Sequence, residues 1–318
     1  MKIAVLIPCY NEELTVQKVV QDFRKELPEA QIFVYDNNST DQTAELARKA
    51  GAFVRREPRQ GKGNVVRSMF RDVEAEVYVM VDGDDTYPAE EVHRLIEPVL
   101  KGEADMVIGD RLSNGTYFAQ NKRSFHDFGN TLVRRLINRL FHSQIQDIMT
   151  GYRAFSRFFV KNMPVMSEGF QIETEMSIFA LVHRFRLAEI PITYRDRPAG
   201  SVSKLNTFRD GFRVLITLFD LYKEFRPLYF FVLIAAVFAL SGLLIGFPAI
   251  LEFIQLRYVY KLPSAVLAAS LWIIAFLLVF LGIILDSQAN RSKKDFEYQL
   301  NQYLERQKKD RSVPSERK

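Results

Sequence analysis

Residues 227–251 and 262–285 contain no charged side chain. A helix rises about 1.5 Å per residue and a bilayer's hydrocarbon core is about 30 Å thick, so each run is long enough to cross it with some tilt. A core helix of a large soluble protein passes the same length test. Such helices are rarely so long and so uniformly apolar, and two in succession are rarer. The pair therefore predicts a membrane hairpin over 226–287, with both flanks on one side. Its loop carries Arg257 and Lys261, whereas the flanks carry Arg209, Arg213, Lys223 and Arg226 before it and Arg291, Lys293 and Lys294 after it. Basic flanks stay cytoplasmic, which predicts an inner (plasma) membrane protein with both termini in the cytoplasm. Ile3 to Ile7, bounded by Pro8, is too short for a signal-peptide core. The lone cysteine, Cys9, excludes an internal disulfide. The charge excess, 43 Lys+Arg against 38 Asp+Glu, is too small to point to nucleic acid as a partner.

Ahead of the hairpin, residues 1–204 read as an α/β domain with a mostly parallel sheet. Strand-like runs at Ile3–Ile7, Ile32–Tyr35, Val77–Val81 and Met106–Ile108 alternate with helical patterns at Glu12–Leu27, Thr43–Ala50 and Pro88–Leu100. Leu205, Phe208, Phe212, Leu215, Phe219 and Tyr222 then recur at helical spacing among charges. That pattern predicts an amphipathic juxtamembrane helix over 205–225, lying on the membrane or packed on protein. Residues 288–318 form a basic tail in which Phe296, Leu300 and Tyr303 suit a surface or oligomer-contact helix.

Polar residues collect where ligands sit in such sheets, beyond the carboxyl ends of the strands. Asp82-Gly-Asp84-Asp85 follows the third strand-like run. So much negative charge at a strand end is costly without a cation or proton, and a hard Mg²⁺ or Mn²⁺ shared with substrate phosphates suits few carboxylates. An EF-hand does not fit, because the sixth and twelfth positions from Asp82 are Tyr87 and His93. Taken alone, the cluster also suits an acidic turn capping the next helix. After the first strand, Pro8-Cys9-Tyr10-Asn11-Glu12 offers an aromatic ring to stack on a base and a carboxylate, with Asn11 as a helix cap. After the second, Asp36 could hold a base or a ribose hydroxyl. Gly61-Lys62-Gly63 opens a helix and Lys62 can meet phosphate, although neither a P-loop nor a dinucleotide fingerprint is present.

In this order, Ile-Pro-Cys-Tyr-Asn-Glu, Asp-Asn-Asn-Ser-Thr-Asp, Gly-Lys-Gly and Asp-Gly-Asp-Asp resemble the inverting family 2 glycosyltransferases of GT-A fold. Asp147-Ile-Met-Thr-Gly-Tyr-Arg153, Gly169-Phe-Gln-Ile-Glu-Thr-Glu175 and Arg197-Pro-Ala-Gly-Ser-Val-Ser-Lys-Leu205 are similar to its polyprenyl-phosphate branch, which holds dolichol-phosphate mannose synthase and the bactoprenol glucosyltransferases. Asn37 stands where many relatives carry a second Asp, a departure expected to matter little.

The resemblance implies a nucleotide-sugar donor surrounded by Pro8, Tyr10, Glu12, Asp36 and Lys62. Asp82 would lie near ribose or metal, and Asp84 would ligate Mg²⁺ or Mn²⁺ on the donor diphosphate. The acceptor would be a polyprenyl phosphate at the lipid bilayer. Arg111, Arg123, Arg135, Arg153 and Lys204 are candidate phosphate partners. Arg111 and Arg123 match the branch's acceptor-phosphate arginines. Asp147 matches its candidate base, with orientation of the acceptor or of an Arg as the other reading, and Glu173 and Glu175 suit partners for the basic cluster. Glucose from UDP-glucose is the first expectation and GDP-mannose the second. A processive synthase is disfavoured because Trp272, the only tryptophan, lies in the second apolar run. A non-catalytic nucleotide-sugar-binding subunit is the reading from another class. A homo-oligomer, such as a tetramer, is expected from the paired spans.

Overall fold

A computed structural model describes residues 2–113, 124–198, 200 and 226–312, with scattered positions between 216 and 223. Arg123, Lys204 and most of the 205–225 stretch lie outside the described residues. The chain forms two compact units, Met1–Thr217 and Leu218–Lys318.

The first unit is built on a seven-stranded sheet. In chain order the strands are β1 (Ile3–Cys9), β2 (Gln31–Asp36), β3 (Phe53–Arg56), β4 (Val77–Met80), β5 (Met106–Asp110), β6 (Arg153–Ser156) and β7 (Leu187–Pro191). The spatial order is β3-β2-β1-β4-β6-β5-β7. β6 runs antiparallel to both neighbours and the other pairings are parallel. All four strands expected from sequence are present. β3, β6 and β7 are additional, and they are short or only partly apolar.

Among the described residues the unit's helices are α1 (Val16–Glu26), α2 (Thr43–Lys49), α3 (Lys62–Asp72), α4 (Val92–Leu100), α5 (Ser124–Phe141), α6 (Arg157–Asn162) and α7 (Ile172–Val182). Alternate strand residues feed opposite faces of the sheet, so a strand buried on both reads as a continuous apolar run. Val5, Ile7, Val34 and Val79 pack with Val19, Val20 and Phe23 of α1 and Leu95 of α4. On other positions, Phe155 meets Phe70 of α3 and Phe159 of α6, and Phe159 meets Phe179 of α7. Asn11, expected as the cap of α1, does not cap it. The helix starts later, behind Thr15, after a turn in which the Thr15 and Val16 N–H groups donate to the Glu12 carbonyl.

The second unit pairs α8 (Pro227–Leu256) with α9 (Leu262–Ser312). Both are long and apolar enough to cross a membrane, and only 17% of each apolar window is buried. A soluble core helix would bury most of it. Buried small residues let the two backbones approach, as small-xxx-small patterns do in lipid. A Cβ on Gly242 would meet the Ala268 carbonyl at 3.1 Å, and one on Gly246 would meet the Ala268 side chain at 3.0 Å. The helix runs unbroken past residue 287, where the tail was expected to begin.

Candidate active site at the ends of β1, β2 and β4

Parallel register puts Cys9 beside Asp36 and Leu6 beside Met80, so the chain leaves β1, β2 and β4 at one sheet edge. Each turn there holds a non-glycine residue in the left-handed region: Asn11 (φ 53°), Asn38 (φ 63°) and Asp85 (φ 59°). Asn and Asp tolerate that region better than other side chains. Such backbone strain gathers at functional sites. Hydrogen bonds stitch the turns together. The Asn11 N–H donates to Ser39 Oγ (2.9 Å) and the Thr40 N–H to Asn11 Oδ1 (2.8 Å). The Glu12 N–H donates to Thr43 Oγ1 (2.8 Å), and Thr15 Oγ1 donates to the Gly83 carbonyl (2.6 Å).

Pro8 is half-buried at the end of β1, Tyr10 is exposed, and Glu12 and Asp36 are buried. Asp36 Oδ1 accepts the Ser39 N–H at 3.3 Å. Asn37 has more to do than its expected neutrality suggests. Its amide donates to the carbonyls of Glu57 (3.0 Å) and Arg59 (2.7 Å), while its Oδ1 accepts the Gly61 N–H (2.7 Å). An aspartate has no hydrogen to give those carbonyls, so Asn37 holds the loop that presents Lys62.

Lys62 Nζ lies 2.5 Å from Asp82 Oδ1 and 2.5 Å from Glu173 Oε1. Burial alone would lower the Lys62 pKa, but the attraction of Asp82 and Glu173 outweighs it and raises the value. Asp84 is buried as well. Its Oδ1 accepts from Thr86 Oγ1 (2.6 Å) and the Thr86 N–H (3.2 Å), and its Oδ2 is ion-paired with Arg197. Burial and the neighbouring Asp82 raise the Asp84 pKa, with Arg197 and Thr86 opposing. A Cβ on Gly151 would collide with the Asp82 carboxylate and force it to shift.

That glycine links the acidic pair to the basic side of the site. The Gly151 N–H donates to the Tyr87 hydroxyl (3.1 Å), which also accepts from Arg111 Nη1 (3.3 Å). Asp147 is fully buried and takes Arg111 in a fork: Nε to Oδ2 at 2.7 Å, Nη2 to Oδ1 at 2.9 Å. The Arg111 guanidinium also lies 5.7 Å from the Tyr194 ring centroid. Arg153 is not a phosphate partner. It is fully buried, donates to the carbonyls of Ile148 (2.5 Å) and Thr150 (3.0 Å) and to Ser177 Oγ (3.0 Å), and burial lowers its pKa to about 10. Glu175 does not serve the basic cluster either, for it accepts the N–H groups of Met166 and Ser167, each at 2.8 Å. The expected site residues Arg123 and Lys204 lie outside the described residues.

Two site residues escaped the reading of the sequence in these roles. Glu173 was expected as a partner of the basic cluster, and its partner is Lys62. Arg197 lies in the Arg-Pro-Ala-Gly-Ser-Val-Ser-Lys-Leu motif, whose sequence alone points to no contact with Asp84. Nothing in local spacing signals that Glu173 reaches Lys62 or that Arg197 reaches the β4 turn.

Among the described residues no group of three or more His, Cys, Asp or Glu could hold a metal ion. Asp82 and Asp84 nonetheless fit a hard divalent cation shared with a diphosphate, which needs only one or two carboxylates. Their present partners make the same point, since an ammonium rests on one and a guanidinium on the other.

Comparison with known proteins bears on the family and the fold. The model of the family described as Glycosyl transferase family 2 matches residues 4–163. Glycosyltransferase AglJ of Haloferax volcanii is 33% identical over 285 residues, which cover 89% of this chain and 92% of that protein. The dolichyl-phosphate hexose transferase of the same organism is 32% identical over 209 residues, covering 66% and 89%. Among solved structures, glucosyl-3-phosphoglycerate synthase from Mycobacterium tuberculosis in complex with Mn²⁺, UDP-glucose and phosphoglyceric acid superposes with a TM-score of 0.53 at 21% identity. That match covers 69% of this chain and 79% of the synthase, and it identifies the sheet as a GT-A fold. The chain belongs to glycosyl transferase family 2.

Proposed function

We propose that the chain is a membrane-anchored, inverting hexosyltransferase that moves a sugar from a nucleotide donor onto a polyprenyl phosphate. The observation that carries this reading is the pair Asp82 and Asp84, each neutralised by a cation, in a chain whose other unit is a pair of apolar helices long enough to cross a membrane. The name of the dolichyl-phosphate hexose transferase relative supports the lipid acceptor. Glucose from UDP-glucose is the donor we propose, supported by the ligand in the synthase complex. GDP-mannose is the second reading.

In this mechanism Tyr10, Glu12 and Asp36 line the nucleoside, and Lys62 holds Asp82 in place. Asp84, with Asp82, would hold Mg²⁺ or Mn²⁺, whose positive charge offsets the charge growing on the departing diphosphate. The acceptor needs little help from a base, because a phosphate monoester's second pKa is about 6 and its oxygen is largely ionised near neutrality. It needs cations that bring one anion to another. Arg111 supplies one, aimed by Asp147, and Arg123 and Lys204 are proposed alongside it. Asp147 is the positioning residue in this reading, since both of its oxygens are engaged by Arg111. A single in-line displacement then inverts the anomeric centre and yields a β-linked product from an α-linked donor.

The test is incubation of the full chain with a panel of labelled nucleotide sugars and undecaprenyl phosphate, followed by lipid extraction. Label is expected in the organic phase with one donor, as a β-linkage, and is expected to fall at least about 100-fold in Asp84→Ala. No lipid label with any donor, or undiminished transfer by Asp84→Ala, overturns the proposal.

A further inference from the structure

We propose that Arg197 is an internal counter-ion that occupies the metal-binding oxygen of Asp84 and is expelled when a divalent cation arrives. This rests on the reading of Asp82 and Asp84 as the metal carboxylates. The hydrogen-bonding capacity of Asp84 is already divided. Oδ1 is taken by the hydroxyl and N–H of Thr86, two residues along the same turn. Oδ2 is taken by the Arg197 Nη2, which comes from the segment after β7. The same guanidinium holds Nη1 3.9 Å from Glu12 Oε1, so it bridges the β1 and β4 turns. Arg197 is itself only part-buried, with 27% of its side chain exposed, whereas 7% of the Asp84 side chain is exposed. The arginine can therefore leave into solvent while the carboxylate stays.

A cation that ligates Asp84 through Oδ2 cannot share that oxygen with the guanidinium on the same approach. Binding of metal and closure of the Arg197 pair are thus alternatives, and they solve one electrostatic problem in turn. Two neighbouring carboxylates, one buried and one part-buried, are costly without a cation or a proton. Lys62 supplies a positive charge permanently to Asp82, with Glu173 fixing the lysine behind it. Arg197 supplies it to Asp84 until the metal does. The exchange weakens metal binding by the fraction of time the pair is closed. A pair closed about nine-tenths of the time lowers apparent affinity about tenfold. The loss applies equally to bare metal and to a metal that brings diphosphate oxygens with it, and the added contacts of the diphosphate offset it.

The experiment titrates Mn²⁺ alone into the full-length detergent-solubilised chain and follows free Mn²⁺ by electron paramagnetic resonance. Wild type is compared with Arg197→Gln and Arg197→Lys, with unfolding midpoints recorded for each. Arg197→Gln is expected to bind Mn²⁺ about tenfold more tightly than wild type. Arg197→Lys keeps the charge on a shorter arm without the fork, and it is expected to fall between them. Should Arg197→Gln fail to fold, Arg197→Lys decides by the same criterion. Equal or weaker Mn²⁺ affinity in a folded variant overturns the exchange. Failure of all three chains to bind Mn²⁺, with UDP or GDP present as well as without, instead overturns the metal reading beneath it.

Discussion

Asp147 shows how a buried carboxylate can be read from its partners. Both oxygens face Arg111, and none of its surface is exposed. A general base must reach the proton it removes, and loss of one costs about 10²- to 10⁴-fold together with the acid limb of the pH–rate profile. A positioning residue loses less and leaves that limb in place. Asp147→Asn is therefore expected to lower transfer by less than about 100-fold while its pH profile keeps the wild-type acid limb; loss of the limb would identify a base. Glu57 makes the opposite kind of claim, about stability. Its hydrogen bonds with Arg59 pull its pKa from the ordinary 4.5 to about 2 against the effect of burial, with Ser68 assisting. The folded value lies below the unfolded one. The pair thus adds stability above pH 4.5 that is lost as the pH falls toward 2. Arg59 is half exposed, so solvent screening weakens the contribution. Unfolding midpoints across this range are expected to fall less steeply for Glu57→Gln than for wild type.

At the scale of elements, the site depends on a loop that does not touch substrate in the proposed mechanism. The start of α3 presents Lys62, and the 166–169 segment packs directly against it. The Asn64 N–H donates to the Glu168 carbonyl at 3.3 Å, and a Cβ on Gly63 would strike the Ser167 carbonyl. Glu175 of α7 holds that segment through two N–H groups. Glu175→Ala leaves both donors without their acceptor and is expected to cost about 2–4 kcal/mol. Hydrogen exchange should rise at 166–169 and at the start of α3 in this variant, while β1 and β4 stay protected. The same geometry explains what sequence revealed. Strands β1, β2, β4 and β5 are apolar runs ending in polar turns, so they and the residues Asp36, Asp82 and Asp84 were legible by local pattern. β6 is a four-residue strand that enters the sheet antiparallel between β4 and β5. Its place is set by long-range pairing, which no local period encodes. Lys62 was legible as a cation, but its partner Glu173 lies on a distant helix. Arg197 reaches Asp84 from beyond β7. Burial, too, was invisible: nothing in the run Thr150-Gly-Tyr-Arg153 distinguishes an arginine that meets phosphate from one sealed under Ser177.

The whole molecule joins a water-soluble type of fold to helices that water does not suit. α9 spans 51 residues, about 76 Å of helix, more than twice a hydrocarbon core. Its polar second half extends beyond any single crossing, and its first half pairs with α8 over Gly242 and Gly246. The proposed acceptor keeps its phosphate at the headgroup surface and its chain in hydrocarbon. In the proposed function, an anchor that kept the first unit at that surface would replace a search through bulk solution by a local one, a gain of effective concentration that needs no new contact. On that proposal anchoring and chemistry are expected to be separable. A chain cut after Thr217, the end of the first compact unit, should keep its nucleotide affinity, since Tyr10, Asp36, Lys62 and Asp84 all precede the cut. On undecaprenyl phosphate in vesicles its transfer should fall about 100-fold or more, while on a short prenyl phosphate free in solution it should approach the rate of the full chain. Equal rates for the cut and full chains on the vesicle-borne lipid would show that the hairpin serves something other than delivery of the acceptor. Loss of nucleotide binding by the cut chain would show instead that the helices support the fold of the catalytic unit itself.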